Sequence, residues 1–176
     1  MKCLIVYKSN TGFTRRYAEM LGEKTGGDVK DLKEATPSVM GAYDTVIYGG
    51  GLYAGSLNGI KKAKAMFSKS GAKHMIVFAV GAMAADCPIL TDTWKRNFTD
   101  EELQQIPHFY MVGGLDYSHM KAVHKLMMKV AIGGVKAAKE RDEFAETFLE
   151  TCKDSFDGVD AAYLEPLLQC LQEENL

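Results

Sequence analysis

The chain has 176 residues, 47% of them hydrophobic, and a formal net charge of −2. That length suits one compact domain spanning 1–176 with a full core, and the near-neutral balance, with no dense Lys/Arg run, argues against a nucleic-acid partner. The four cysteines, Cys3, Cys87, Cys152 and Cys170, form no C-x-x-C pair and no zinc spacing, which reads as free thiols in a reducing, cytoplasmic setting. Neither a signal peptide nor an apolar run of membrane-spanning length is visible.

In chain order, residues 3–7 are an apolar run that predicts a buried parallel strand. Ser9, Asn10, Thr11, Gly12, Phe13 and Thr14 follow, and Tyr17, Ala18 and Leu21 then recur at helical spacing, so a helix is expected over 14–24, ended by Gly26-Gly27. Strand, hydroxyl-rich turn and helix make an anion cradle. A helix N-terminus presents unpaired N–H groups and a positive partial charge, so an anion can sit there without a lysine. A weak second strand is expected at 28–32, with Pro37 in a connecting segment. The third strand, 45–48, runs into the glycine-rich loop 49–55. A helix is expected over 58–69 with Ile60, Ala63 and Phe67 inward, then the most apolar strand, 74–80, and a loop, 81–87. A helical stretch over 88–106, where Asp86 is suited to cap the start, leads to a fifth strand at 109–112. Alternating strands and helices argue a parallel sheet covered on both faces.

Ser9-Asn10-Thr11-Gly12-Phe13-Thr14 resembles the [Ser/Thr]-x-Thr-Gly-x-Thr phosphate loop of flavodoxins, placed as there directly after the first strand. The resemblance implies an α/β, flavodoxin-like, doubly wound five-stranded parallel sheet with FMN as cofactor. Ser9, Thr11 and Thr14 would then offer hydroxyls to the phosphate, and Asn10, Gly12 and Phe13 their amides. Ligands of such sheets bind outside the carboxyl ends of the strands. Gly50, Gly51, Leu52, Tyr53 and Ala54 are accordingly expected to meet the isoalloxazine ring, with Tyr53 stacked on it or abutting it. Gly81, Ala82 and Met83 are expected to close the other side, and Cys87 reads as inert.

After the fifth strand the chain departs from a plain flavodoxin, which goes almost directly into its last helix. Here Gly113-Gly114-Leu115-Asp116-Tyr117 opens an insert over about 115–158, followed by a final helix at 161–172 capped by Asp160, with Leu164, Leu167, Leu168 and Leu171 inward. Within the insert, Met120, Val123, Leu126, Met127 and Val130 are at helical spacing among Lys121, His124, Lys125 and Lys129. Gly133-Gly134 should break that helix, and a second one is expected over 140–153. The 118–132 helix could pack as a lid, or make a peripheral contact with an anionic membrane or an apolar partner.

The layout is similar to that of the flavodoxin-type protoporphyrinogen dehydrogenases, FMN-dependent enzymes with an insert at this point and quinones as acceptors. By that resemblance Gly114 and Tyr117 would lie near the flavin. The family carries an Arg-Tyr pair in this loop, whereas this chain carries Asp116-Tyr117, so the arginine that would meet a porphyrin carboxylate has no counterpart. Electron-carrying flavodoxins are strongly acidic, and a charge of −2 gives little long-range steering. The expectation is therefore an FMN-binding oxidoreductase transferring electrons through the flavin, with a redox partner protein or a small acceptor such as a quinone. The alternative is a non-enzymatic carrier whose insert docks a dedicated partner. No H-E-x-x-H occurs, and no metal site or protein nucleophile is expected.

Overall fold

The computed structural model describes residues 2–138, 140 and 143–173. Its first strand, β1 (Cys3–Lys8), sends Leu4 and Val6 to one face and Ile5 to the other, as the strand period requires. Both faces are apolar because both are covered. On one side α1 (Phe13–Thr25) packs Tyr17, Ala18 and Leu21 over Ile5, and on the other Val6 lies in the cluster that includes Met40.

The chain continues through β2 (Asp28–Asp31), α2 (Pro37–Met40), β3 (Thr45–Tyr53), β4 (Ser56–Leu57), α3 (Ile60–Phe67) and β5 (His74–Gly81). Then come α4 (Ile89–Asn97), α5 (Asp100–Gln105), β6 (His108–Val112) and the short β7 (Gly114–Leu115). The insert holds α6 (Ala122–Ala137) and α7 (Glu143–Thr151), and β8 (Phe156–Asp157) closes it before a 3-10 turn and α8 (Glu165–Glu173). The parallel strands run in the order β2-β1-β3-β5-β6, with β4 an antiparallel addition to β3 and β7-β8 a separate ribbon. The expected doubly wound sheet is therefore present. Its switch point falls between β1 and β3, where Tyr7 pairs with Gly49 and Lys8 with Gly50.

Several expectations are corrected in detail. The segment at Pro37 is a one-turn helix, started by proline at its first position and by Thr36 Oγ1 accepting from the Val39 amide at 3.2 Å. The third strand does not end at Tyr48. Gly49 lies under the Phe78 ring, where an added Cβ would sit 2.0 Å from a ring carbon, so glycine keeps the strand running through this crossing. The 88–106 stretch is two helices, divided at Phe98-Thr99 because Thr99 and Glu102 form a reciprocal capping box. Asp86 does not cap α4, whose N-cap position is Pro88. In α3 Met66 is buried on the inner side with Ile60 and Ala63, and Phe67 is half-buried beside them.

Gly133-Gly134 does not break α6, which runs through the pair and ends where Ala138 turns extended. Glycine weakens a helix by about 1 kcal/mol but ends one only where the backbone leaves the helical region. Of the expected 140–153 helix, α7 supplies the part from Glu143, and residues 141 and 142 lie outside the described residues. The final helix opens as a 3-10 turn at 161–164, capped as expected by Asp160 Oδ1 accepting from the Ala162 amide at 2.9 Å. Leu164, Leu167 and Leu171 are buried in the α1 side of the core, with Leu168 half-buried against it.

Candidate functional site

At the carboxyl end of β1 the chain makes a tight turn into α1. Gly12 holds the N-cap position with φ +97°, a left-handed conformation that suits glycine, and its amide donates to Ser9 Oγ at 3.0 Å. No side chain caps α1, so the amides of its first turn stay open toward the end of the sheet. Thr11, Phe13 and Thr14 line the cavity found there, with Thr14 almost wholly buried. The nearby arginines are paired: Arg15 donates to Glu19 at 2.7 Å and Arg16 pairs with Asp157.

The second wall is a hairpin. Ala54 (φ +48°) and Gly55 (φ +74°) form the turn joining β3 to β4, across which Tyr53 pairs with Ser56. Alanine in the left-handed region is strained, and α4 holds it there. Arg96 Nη1 donates to the Ala54 carbonyl at 3.1 Å, and Asn97 Nδ2 donates to that of Gly55 at 2.8 Å. Gly51, Leu52, Tyr53 and Ala54 line the cavity, but Gly50 faces the hairpin, where a Cβ would lie 2.8 Å from the Asn58 carbonyl oxygen. Tyr53 stacks on His124 of α6 with ring centroids 4.5 Å apart. Burial pushes the Tyr53 phenol up, while hydrogen bonding to Asn10 and Thr11 holds it down. Tyr53 thus ties the phosphate-type loop to the insert.

Gly81, Ala82 and Met83 form the third wall, fixed by the Tyr110 hydroxyl donating to the Met83 carbonyl at 2.8 Å. Cys87 lies beside them, its sulfur 3.9 Å from that of Met83. Gly114 lines the floor and lies tight against the β7-β8 ribbon, where a Cβ would meet the Phe156 carbonyl oxygen at 2.2 Å. Tyr117 takes a different place. Its amide donates to Ser155 Oγ at 3.0 Å and its hydroxyl to the Cys152 carbonyl at 2.8 Å, fastening the entry of the insert to its exit. Ser9, Asn10 and Gly12 shape the loop without lining the main cavity.

The insert forms a roof. His124, Met127 and Met128 come down from α6 and Met120 from the turn just before it, while Phe148 and Thr151 come from α7 and Cys152 from the residue that follows it. The cavity beneath the roof is about 670 Å³ and is partly open to solvent. Sequence reading did not single out His124, Phe148 or Cys152 as site residues. The spacing of His124 and Met128 on one α6 face was a usable signal, but nothing local said which face would look inward. Burial pushes the Cys152 thiol up, and Cys3 up to about 11, so both stay protonated. Asp116 is held well below the usual carboxylate range by the Ser118 hydroxyl and by the amide and ring of His119.

These residues fit FMN. An uncapped helix N-terminus with hydroxyls suits a phosphate, and an apolar cavity of this size beside it lies within the range for cofactor sites. Among the described residues there is no cluster of three or more metal-ligating side chains, and no helix is long and apolar enough to cross a membrane.

Strand order defines a doubly wound α/β protein, and its cavity lies outside the carboxyl ends of the strands, where such sheets take a ligand. Residues 4–142 match the family model described as Flavodoxin domain, and the chain belongs to that family. Membership supports FMN as the cofactor. Among solved structures, the chain is similar to a flavodoxin, WrbA-like protein from Agrobacterium tumefaciens (16% identity, 78% of this chain and 99% of that one, TM-score 0.45). It is also similar to a flavoprotein in complex with FMN from Lactobacillus acidophilus (16%, 63% and 91%, TM-score 0.43). A third is the NAD(P)H:quinone oxidoreductase from Methanothermobacter marburgensis (8%, 81% and 99%, TM-score 0.42). No curated protein matches.

Proposed function

We propose that this protein is an FMN-dependent oxidoreductase that exchanges electrons with an apolar small molecule, a quinone by preference, held under the α6–α7 roof. The observation that carries the reading is the roof itself. A carrier that meets protein partners keeps the flavin edge open, whereas here Met120, Met127, Met128 and Phe148 cover the strand ends with apolar surface. In this reading the amides of the first turn of α1, with Thr11 and Thr14, hold the phosphate, while Gly51 to Ala54 and Gly81 to Met83 flank the ring. Bound FMN supplies the redox chemistry, and the protein contributes position, dryness and electrostatics.

Asp116 bears on the choice of acceptor. Asp116 is among the residues that line the cavity, and its carboxyl stays ionised. It would repel a porphyrin carboxylate but leaves an uncharged quinone unaffected. The porphyrinogen version of the reading is thereby the weaker one, and a dedicated protein partner is the remaining alternative.

The test starts with an absorbance spectrum of the purified protein and titrations with FMN, FAD and riboflavin. Tight FMN and much weaker riboflavin binding support the phosphate assignment. Steady-state quinone reduction without an added partner protein then supports the enzyme. Flavin binding without turnover would favour the carrier, and failure to bind any flavin would remove the reading.

A further inference from the structure

The outer face of α6 is apolar and open. Val123, Leu126 and Val130 are 58%, 62% and 67% exposed, and their spacing sets them on one stripe of the helix. The opposite face, with His124 and Met128, looks into the cavity. Most helices at a protein surface are apolar on one side only. This one is apolar on both, which leaves three large side chains in water for no reason internal to the fold.

The charges beside the stripe say what it fits. Lys121, Lys125, Lys129 and Lys136 lie along one flank, and no acidic residue occurs between Asp116 and Glu140. None of the four lysines forms an ion pair among the described residues. The whole chain has a charge of −2, so outside this helix it is net acidic. A cationic, apolar patch on an otherwise acidic protein matches an anionic bilayer, which takes the apolar ridge into the headgroup boundary and the lysines at its surface. A second copy of the chain fits worse. Packing two such helices together would bring their lysine rows into one neighbourhood with no carboxylate on either helix to offset them.

We propose that α6 docks this protein on an anionic membrane surface, with Val123, Leu126 and Val130 inserted and Lys121, Lys125, Lys129 and Lys136 against the headgroups. Docked so, the roof of the cavity lies between the site and the lipid. That suits a lipid-soluble acceptor, but the docking rests on the helix alone and not on the proposed activity.

The experiment is co-sedimentation of the as-purified full-length chain with phosphatidylcholine vesicles, with and without phosphatidylserine, at low and moderate salt. Partitioning should rise about tenfold or more with phosphatidylserine and fall with salt. The V123S/L126S/V130S variant should lose about tenfold of that binding, and K121Q/K125Q/K129Q should lose the phosphatidylserine preference. Each of these side chains is outside the cavity lining, so the melting temperature and any flavin spectrum should not change. Failure to sediment with phosphatidylserine vesicles overturns the proposal, and so does undiminished binding by the serine variant. A dimer in size-exclusion chromatography that the serine substitutions abolish also overturns it, because the stripe would then be a contact between copies. Vesicle binding is read whether or not quinone turnover is found, so either idea can fail without the other.

Discussion

Thr11 and Thr14 stand on either side of Gly12, and both line the cavity where the α1 amides are open. A hydrogen bond from a neutral hydroxyl to a charged phosphate is worth about 1.5–3 kcal/mol. Remaining amides and water compensate part of each loss, so T11A/T14A should weaken FMN binding by about 10- to 100-fold. Riboflavin, which has no phosphate, should bind the variant as it binds the parent, and fluorescence titration reads both. Equal loss for the two ligands would show that the threonines shape the site and do not grip the phosphate. This loop was legible because its chemistry is local: six adjacent residues carry both the turn and the donors. The Tyr53–His124 stack was not, since each ring meets a partner that only the folded insert brings near.

At the level of elements, some boundaries shifted where a tertiary contact overrode a local signal, and others where a local signal was weaker or stronger than its residues suggest. Gly49 reads as the start of a loop, yet it continues β3 because the Phe78 ring needs the space a side chain would fill. Gly133-Gly134 reads as a stop, yet nothing there turns the backbone out of the helix. The entry turn of the insert follows its local chemistry instead. Asp116 Oδ1 accepts from the Ser118 hydroxyl at 2.6 Å and from the Ser118 and His119 amides at 3.0 and 3.1 Å. Such a depressed carboxyl stabilises the turn fully above its unfolded pKa of about 4. That contribution is lost progressively as the pH falls below this value toward the folded-state pKa. Hydrogen-exchange protection of the Ser118 and His119 amides should therefore fall from pH about 4 to about 2. Asp116→Asn should flatten that dependence, and at neutral pH it should speed tryptic cleavage at Lys121 several-fold. A variant with the parent's pH profile would remove Asp116 from the account of the turn.

For the whole molecule, the sheet and the insert answer to different parts of the chain. The sheet core is built from β1, β2, β3, β5 and β6, and its helices α1 and α8 pack on it without using α6 or α7. The insert leaves and returns through one ribbon, in which Leu115 pairs with Phe156 and Gly114 with Asp157 in antiparallel register. Paired residues in such a ribbon are about 5 Å apart, close enough for a two-residue turn. Replacing residues 116–155 by Asn-Gly should therefore give a protein that still unfolds cooperatively and still prefers FMN to riboflavin, because the Thr11–Thr14 cradle does not depend on the roof. What should disappear is the enclosure: FMN should dissociate faster, and quinone turnover should fall toward that of free flavin, while reduction of a protein electron acceptor should rise as the ring edge opens. Stopped-flow release of FMN and the two turnover assays measure these changes. A variant that fails to fold would show that the insert is part of the core. A variant that folds and reduces quinones as well as the parent would strip the roof of its part in the activity.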